Sequence, residues 1–181
     1  MPLPSQRVKL STERQVSSIL KSDFTPKHQP QGSEKWVYPS EQQYFNAMKA
    51  KGFNPQEQDV SIILAIHNAV NEQGWTQVLD WEKRYGGCSD AQPPRLKRFM
   101  GRPKDMSPKA RLLWLMGYNA PFDRHDWVVE RPDGTEVRYV LDFYAGQIDP
   151  QNPKPVAMHL DVRPALDSVD VRTCLMSMSL V

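Results

Sequence analysis

Cysteine is scarce in this sequence, long apolar runs are missing, and one stretch is free of proline. Cys88 and Cys174 are the two cysteines. They form neither a CxxC pair nor a zinc-ligand pattern, and they read as two free thiols rather than a bridge. The longest unbroken aliphatic stretch runs from Ile62 to Ile66, far short of the roughly 18 apolar residues that span a bilayer. Arg7, Lys9 and Arg14 punctuate the first residues without an apolar core of signal-peptide length, so export by a cleaved signal is not expected. The sequence has no GxSxG, no P-loop, no glycine-rich dinucleotide fingerprint and no HExxH, which sets aside the reactions that those motifs carry.

What is present suits a modest globular chain. Its 181 residues carry 39% apolar side chains, enough for a real core without a disulfide or metal staple. The formal charge of +2 hides an asymmetry: between Lys83 and Arg111 there are nine basic and two acidic residues, so that segment is +7 and the remainder −5. None of the sixteen prolines lies between Gln56 and Gln92. Residues 1–34 are polar and broken by Pro2, Pro4, Pro26, Pro30 and Gly32; they read as a flexible arm. Residues 35–181 read as a single domain, with a helical part at 40–118, a hairpin and sheet part at 121–164 and a tail at 165–181.

Ser40 with Gln43 has the spacing of a capping box, and Gly52 ends the helix it starts. Val60, Ile63, Leu64 and His67 follow one helical stripe, widened by Ile62, Ile66 and Ala69, which puts His67 on an apolar face. Asn71 is a candidate cap for a second helix ending at Gly86-Gly87, and the pattern leaves open whether the two helices are continuous. The basic segment holds Pro93-Pro94, Gly101 and Pro103 and is expected to be largely irregular and exposed. Ser107-Pro108 starts another helix, closed by Gly117. Beyond Pro121 the period becomes two: runs at 127–131 and 136–144 flank Pro132-Asp133-Gly134, a hairpin signal, and Met158, Leu160 and Val162 extend the sheet. Helices first and an antiparallel sheet afterwards give an α+β fold.

His67 has two readings from pattern: a core histidine bonded to a neighbour, or an axial ligand to haem iron beside an apolar slot. No second histidine lies at i+3 or i+4, which disfavours zinc. His125 sits between Asp123 and Asp126, as a proton donor with a raised pKa or as part of a solvated charged turn. Cys88 has no obvious local base and reads as an ordinary thiol. The basic segment offers partners of three kinds: nucleic-acid phosphates, anionic lipid head groups or haem propionates.

Several runs together resemble the mitochondrial holocytochrome c synthase family, also called cytochrome c haem lyases. They are Trp36-Val37-Tyr38-Pro39-Ser40, Ile66-His67-Asn68 with Asn71-Glu72-Gln73 and Trp75, PFDRHDW from Pro121 to Trp127, GTEVRYV from Gly134 to Val140, and Leu160-Asp161-Val162-Arg163-Pro164. The resemblance covers about 36–168 and implies a lyase that attaches haem b to apocytochrome c, joining the CxxCH thiols to the two vinyl groups. It implies His67 as the axial iron ligand, with Trp36, Ile63, Leu64, Ile66 and Val70 forming the slot. Arg124 and Arg138 would meet the propionates and His125 would manage protons, whereas Glu72 reads as ordering a helix start through the macrodipole. It further implies the mitochondrial inner membrane, facing the intermembrane space, with peripheral attachment to an anionic surface and no nucleic-acid partner. A non-catalytic haem carrier and a basic nucleic-acid-binding module are the alternatives.

Overall fold

The computed structural model describes residues 6–24, 26, 28–146 and 158–166, and the tail expected from Asp167 onward lies outside them. The fold is α+β, in two compact units, Met1–Trp75 and Thr76–Val181.

In the first unit, strand β1 (Val16–Leu20) pairs antiparallel with β2 (Lys35–Val37). Within the segment read as an arm, Val16–Leu20 is thus a paired strand. Ser17 and Ile19 alternate inward, Leu10 joins the core with Phe45 and Val60, and Gln29 clamps Val37 by a reciprocal pair of bonds of 3.0 and 2.9 Å. Helix α1 (Glu41–Ala50) begins as expected. Ser40 Oγ accepts from Gln43 N–H at 3.2 Å while the Gln43 side chain accepts from Ser40 N–H at 3.0 Å, so two orphan donors are satisfied reciprocally.

Helix α2 (Val60–Tyr85) is one continuous helix. Asn71 is therefore no cap, and Glu72 stands in mid-helix rather than at a helix start. Its carboxylate accepts from the Ser18 N–H at 3.0 Å, the Ser18 hydroxyl and the Tyr38 hydroxyl at 2.9 Å. Glu72 thus ties β1 and the chain after β2 to α2. Burial, with Glu72 beside it, holds the Tyr38 phenol above its usual range.

In the second unit a sheet runs in the order β3-β4-β5-β6, all antiparallel, from β3 (Arg95–Gly101), β4 (Asp123–Glu130), β5 (Glu136–Ala145) and β6 (Met158–Pro164). The basic segment is thus not irregular throughout: it supplies an edge strand. Its prolines bracket the strand without interrupting it, and Arg95, Lys97 and Arg98 give the edge the charge that discourages further pairing. PFDRHDW is also more extended than expected, because β4 begins at Asp123. The β4–β5 hairpin turns as the sequence indicates, with Gly134 N–H donating to the Arg131 carbonyl at 2.9 Å and Gly134 at φ 82°, the left-handed position after a type I turn.

The two faces of this sheet differ. Leu96, Trp127, Val129, Val137, Tyr139, Leu141, Phe143, Leu160 and Val162 are buried on one, and the C-terminal part of α2 packs there, with Trp81 Nε1–H donating to the Val162 carbonyl at 2.8 Å. Arg124, Asp126, Arg138, Asp142 and Arg163 occupy the other. Against these, helix α3 (Pro108–Leu115) sets its cap: Ser107 Oγ accepts from Ala110 N–H at 3.1 Å and donates to Asp142 Oδ2 at 2.6 Å.

Candidate functional site

The buried side chains of α2 are Val60, Leu64, Asn68, Trp75, Val78 and Glu82, a stripe at the spacing of one helix face. His67 is not in it. It is exposed, as the structure's correction to a core-facing histidine, and it stands at the edge of a second, only half-covered apolar arc made by Ile63, Ile66 and Val70. Ile62 continues that arc outward at 62% exposure. The stripe read from sequence is therefore two arcs: Val60 and Leu64 serve the core, and the rest is left for something else. The Tyr44 ring, partly buried against the Leu10–Phe45–Val60 core, lies 5.7 Å from the His67 ring at an interplanar angle of 50°. Burial raises the Tyr44 phenol above its usual pKa, so it stays neutral and acts as a wall. Sequence reasoning did not join Tyr44 to His67. The Ser40 cap, which fixes the phase of α1, was the available signal.

Of the other expected slot residues, Leu64 and Trp36 are buried. Trp36 sits in β2 with its ring 6.4 Å from that of His28. An imidazole set among half-covered aliphatic side chains can hold a flat apolar ligand and coordinate a metal at its centre. Among the described residues no three His, Cys, Asp or Glu side chains converge as a metal site. An iron bound at His67 would thus not be held by a cluster of described side chains, which suits a haem, whose macrocycle supplies most of the ligands.

His125, Arg124 and Arg138 belong to the second unit. His125 is in β4, not a turn, with Nε2 3.3 Å from Asp123 Oδ2 and its ring 5.1 Å from that of Phe143, edge to face. Arg124 is turned inward. Its guanidinium straddles the fully buried Asp126, Nε to Oδ1 at 2.9 Å and NH2 to Oδ2 at 3.1 Å. Arg138 reaches Asp126 Oδ2 at 2.5 Å and Arg102 Nε stands 3.5 Å from it. The forks expected to meet propionates are thus engaged by an internal carboxylate, although three guanidiniums on one carboxylate leave an excess of positive charge.

Cys88 is buried, with Sγ 3.5 Å from Glu82 Oε2. Burial, and then Glu82, pushes its thiol up to about 11, so it stays protonated at neutral pH and supplies no thiolate.

These features describe an α+β protein with an exposed histidine beside a half-covered apolar arc and no activated nucleophile at Cys88. Comparison with known proteins gives the family. The Cytochrome c/c1 heme lyase family matches residues 1–176. The chain is 47% identical over 157 residues to a Schizosaccharomyces pombe relative that bears the name holocytochrome-c1 synthase, covering 87% of this chain and 69% of that one. It is 44% identical over 174 residues to the human holocytochrome c-type synthase (93% and 60%) and 43% identical over 189 residues to the Saccharomyces cerevisiae holocytochrome-c synthase (92% and 66%). This chain belongs to the cytochrome c/c1 heme lyase family. It spans between 60% and 69% of the length of those relatives. No solved structure matches it.

Proposed function

We propose that this chain is a holocytochrome c synthase, which joins haem to apocytochrome c through two thioethers. The observation that carries the reading is the exposed His67 on the half-covered Ile63–Ile66–Val70 arc, in a chain of this family. His67 offers a neutral ring nitrogen to the iron of the substrate haem, and the aliphatic arc with Tyr44 holds the macrocycle by apolar contact. The CxxCH histidine of the incoming apocytochrome takes the opposite side of the iron, which brings its two thiols to the vinyl groups. Each thiol S–H adds across one vinyl C=C, forming one C–S and one C–H bond with no leaving group and no net redox change. The protein's part is then positioning, which supplies several kcal/mol toward such a step when the partners are held in register. A protonated Cys88 fits this, because the nucleophiles arrive with the substrate.

His125, beside Asp123, is the candidate for proton management in the second unit. As part of the same proposal, the reaction takes place at the mitochondrial inner membrane, facing the intermembrane space. That location is supported by the family resemblance and by the +7 segment.

Co-expression with apocytochrome c in a host without other maturation machinery, followed by haem staining of a denaturing gel, tests the activity. A stained cytochrome band is expected with the wild-type chain and none with His67→Ala. If His67→Ala still matures cytochrome c and co-purifies with haem of unchanged Soret band, the assignment of His67 is wrong.

A further inference from the structure

Helix α3 is built backwards for a helix in water. It buries Ala110 and half-buries Leu113, while Leu112, Trp114, Leu115 and Met116 are each more than half exposed, Leu115 at 75%. Amphipathic surface helices do the opposite, turning large apolar side chains inward. The chain leaving α3 is fixed. Tyr118 N–H donates to the Leu113 carbonyl and Gly117 N–H to that of Trp114, both at 3.0 Å, with Gly117 at φ 92°. This is a Schellman closure, and it leaves Tyr118, then Phe122, more than half exposed as well. Exposed apolar residues scattered singly need no explanation, but six within residues 112–122 do.

Charge narrows the choice of what covers them. The +7 segment ends at Arg111, which is exposed and one turn before Leu115 on the same side of α3, and Lys104 upstream is exposed too. A second copy of this chain would bring that basic segment against itself. Trp, Tyr and Leu side chains standing clear of the surface, rimmed by Arg and Lys, are what an anionic head-group layer accepts. Helix α3 has eight residues, about 12 Å of helix, too short to cross a bilayer, so the contact lies in the interface plane.

We propose that α3 and its closing turn, Leu112 to Tyr118, seat the protein on an anionic phospholipid bilayer. Leu112, Trp114, Leu115, Met116 and Tyr118 enter the head-group boundary while Lys104 and Arg111 meet lipid phosphates. This deepens the location reading above by naming the residues, and it is independent of the haem chemistry.

The test is flotation of the full chain with phosphatidylcholine vesicles containing cardiolipin, against phosphatidylcholine alone. The wild type floats with the anionic vesicles, and added salt weakens the binding. The double variant Leu115→Ser, Met116→Ser lowers the partition about tenfold or more. Its thermal midpoint stays unchanged because both side chains are exposed. Trp114 gives a second readout: Trp36, Trp75 and Trp127 are buried and Trp81 is half-buried, so vesicles shift the emission of Trp114 to shorter wavelength, and Trp114→Phe loses the shift. An unchanged partition of the double variant, an unmoved Trp114 emission, or a wild type that ignores cardiolipin overturns the seat. So does a concentration-dependent dimer that the double variant disperses without any vesicle binding, which would make α3 an interface between copies. A chain that matures cytochrome c but ignores vesicles sinks this inference alone; one that binds vesicles through α3 and never matures cytochrome c sinks only the haem reading.

Discussion

Two polar residues of one helix, Glu82 and His67, are treated in opposite ways. Glu82 is fully buried and every side of its carboxylate is used: Tyr139 donates its hydroxyl at 2.7 Å, Arg131 its Nε at 2.7 Å and a second guanidinium N–H at 3.3 Å, and the Cys88 thiol lies at 3.5 Å. His67 is exposed among aliphatic side chains that are themselves only half covered. A buried charge with a complete set of partners fixes architecture. An exposed imidazole in an apolar setting leaves contact surface available to an outside molecule. On that contrast, substitutions near Glu82 act on folding and substitutions around His67 act on binding.

The largest effect belongs to Glu82. Glu82→Ala leaves the Arg131 guanidinium and the Tyr139 hydroxyl without their acceptor, and the expected loss is roughly 3–5 kcal/mol of stability, read from a urea melt. Gly86→Ala attacks the same site from outside, because a Cβ there would collide with the Glu82 carboxylate; it too is expected to lower the urea midpoint. A Glu82→Ala chain as stable as the wild type would remove the distinction drawn between the two residues.

Cys88 sharpens the comparison through pH. Its folded thiol titrates near 11 against an ordinary 9.0, so the folded state holds the proton more tightly than the unfolded chain does. The sign follows: this contribution is intact below pH 9 and is lost as pH rises toward 11. Cys88→Ala is expected to flatten that alkaline decline. Two pKa units lower the thiolate fraction at pH 8 about a hundredfold. In a Cys174→Ala background, alkylation of Cys88 by iodoacetamide should therefore be slower than that of a free cysteine by about that factor. Alkylation at the rate of free cysteine would show that the Glu82 site is open.

Local chemistry was legible in the sequence, and coverage was not. The Ser40–Gln43 box, the Ser107-Pro108 start and the Gly134 turn each depend on a few neighbouring atoms, and each forms as read. Strand β1 escaped notice because Val16–Leu20 is short and buries a serine, whose hydroxyl donates to the Trp36 carbonyl at 2.7 Å. Strand β3 was hidden by its own prolines and charges, which suit an edge but resemble a loop. The cap signals at Asn71 and Glu72 lost to the continuity of α2, since Glu72 has tertiary partners instead. At the site, helical spacing grouped His67 with Ile63, Leu64, Ile66 and Val70, but the phase of a helix does not say which of two adjacent arcs the rest of the chain covers, and Leu64 falls in the covered one. Arg124 and Arg138 were legible as forks for a carboxylate, yet a sequence does not show that Asp126 takes them first.

A smaller loss is expected at Ser107. Its side chain caps α3, donates to Asp142 and accepts from Arg163 at 2.7 Å. Ser107→Ala removes a cap and the hydrogen bonds to Asp142 and from Arg163, about 2–3 kcal/mol together, whereas Ser40→Ala removes the α1 cap for about 1 kcal/mol. Equal midpoints for the two variants in thermal melts would mean that the bonds to Asp142 and from Arg163 add nothing.

The smallest change in stability is expected at His67, and it decides most about the molecule. His67→Ala removes an exposed side chain, so the free energy of unfolding should change by no more than about 0.5 kcal/mol. Ile66→Ser should cost somewhat more, because Ile66 is half-buried, but less than any change at Glu82. If the arc exists for a ligand, the same two variants must separate in a haem titration followed in the Soret band. His67→Ala removes the coordinate bond and changes the position of the band, while Ile66→Ser keeps the position and weakens the binding, since it alters apolar contact alone. A His67→Ala chain that unfolds several kcal/mol more easily would make the imidazole a structural group like Glu82, and the half-covered arc of α2 would lose its reason for being open.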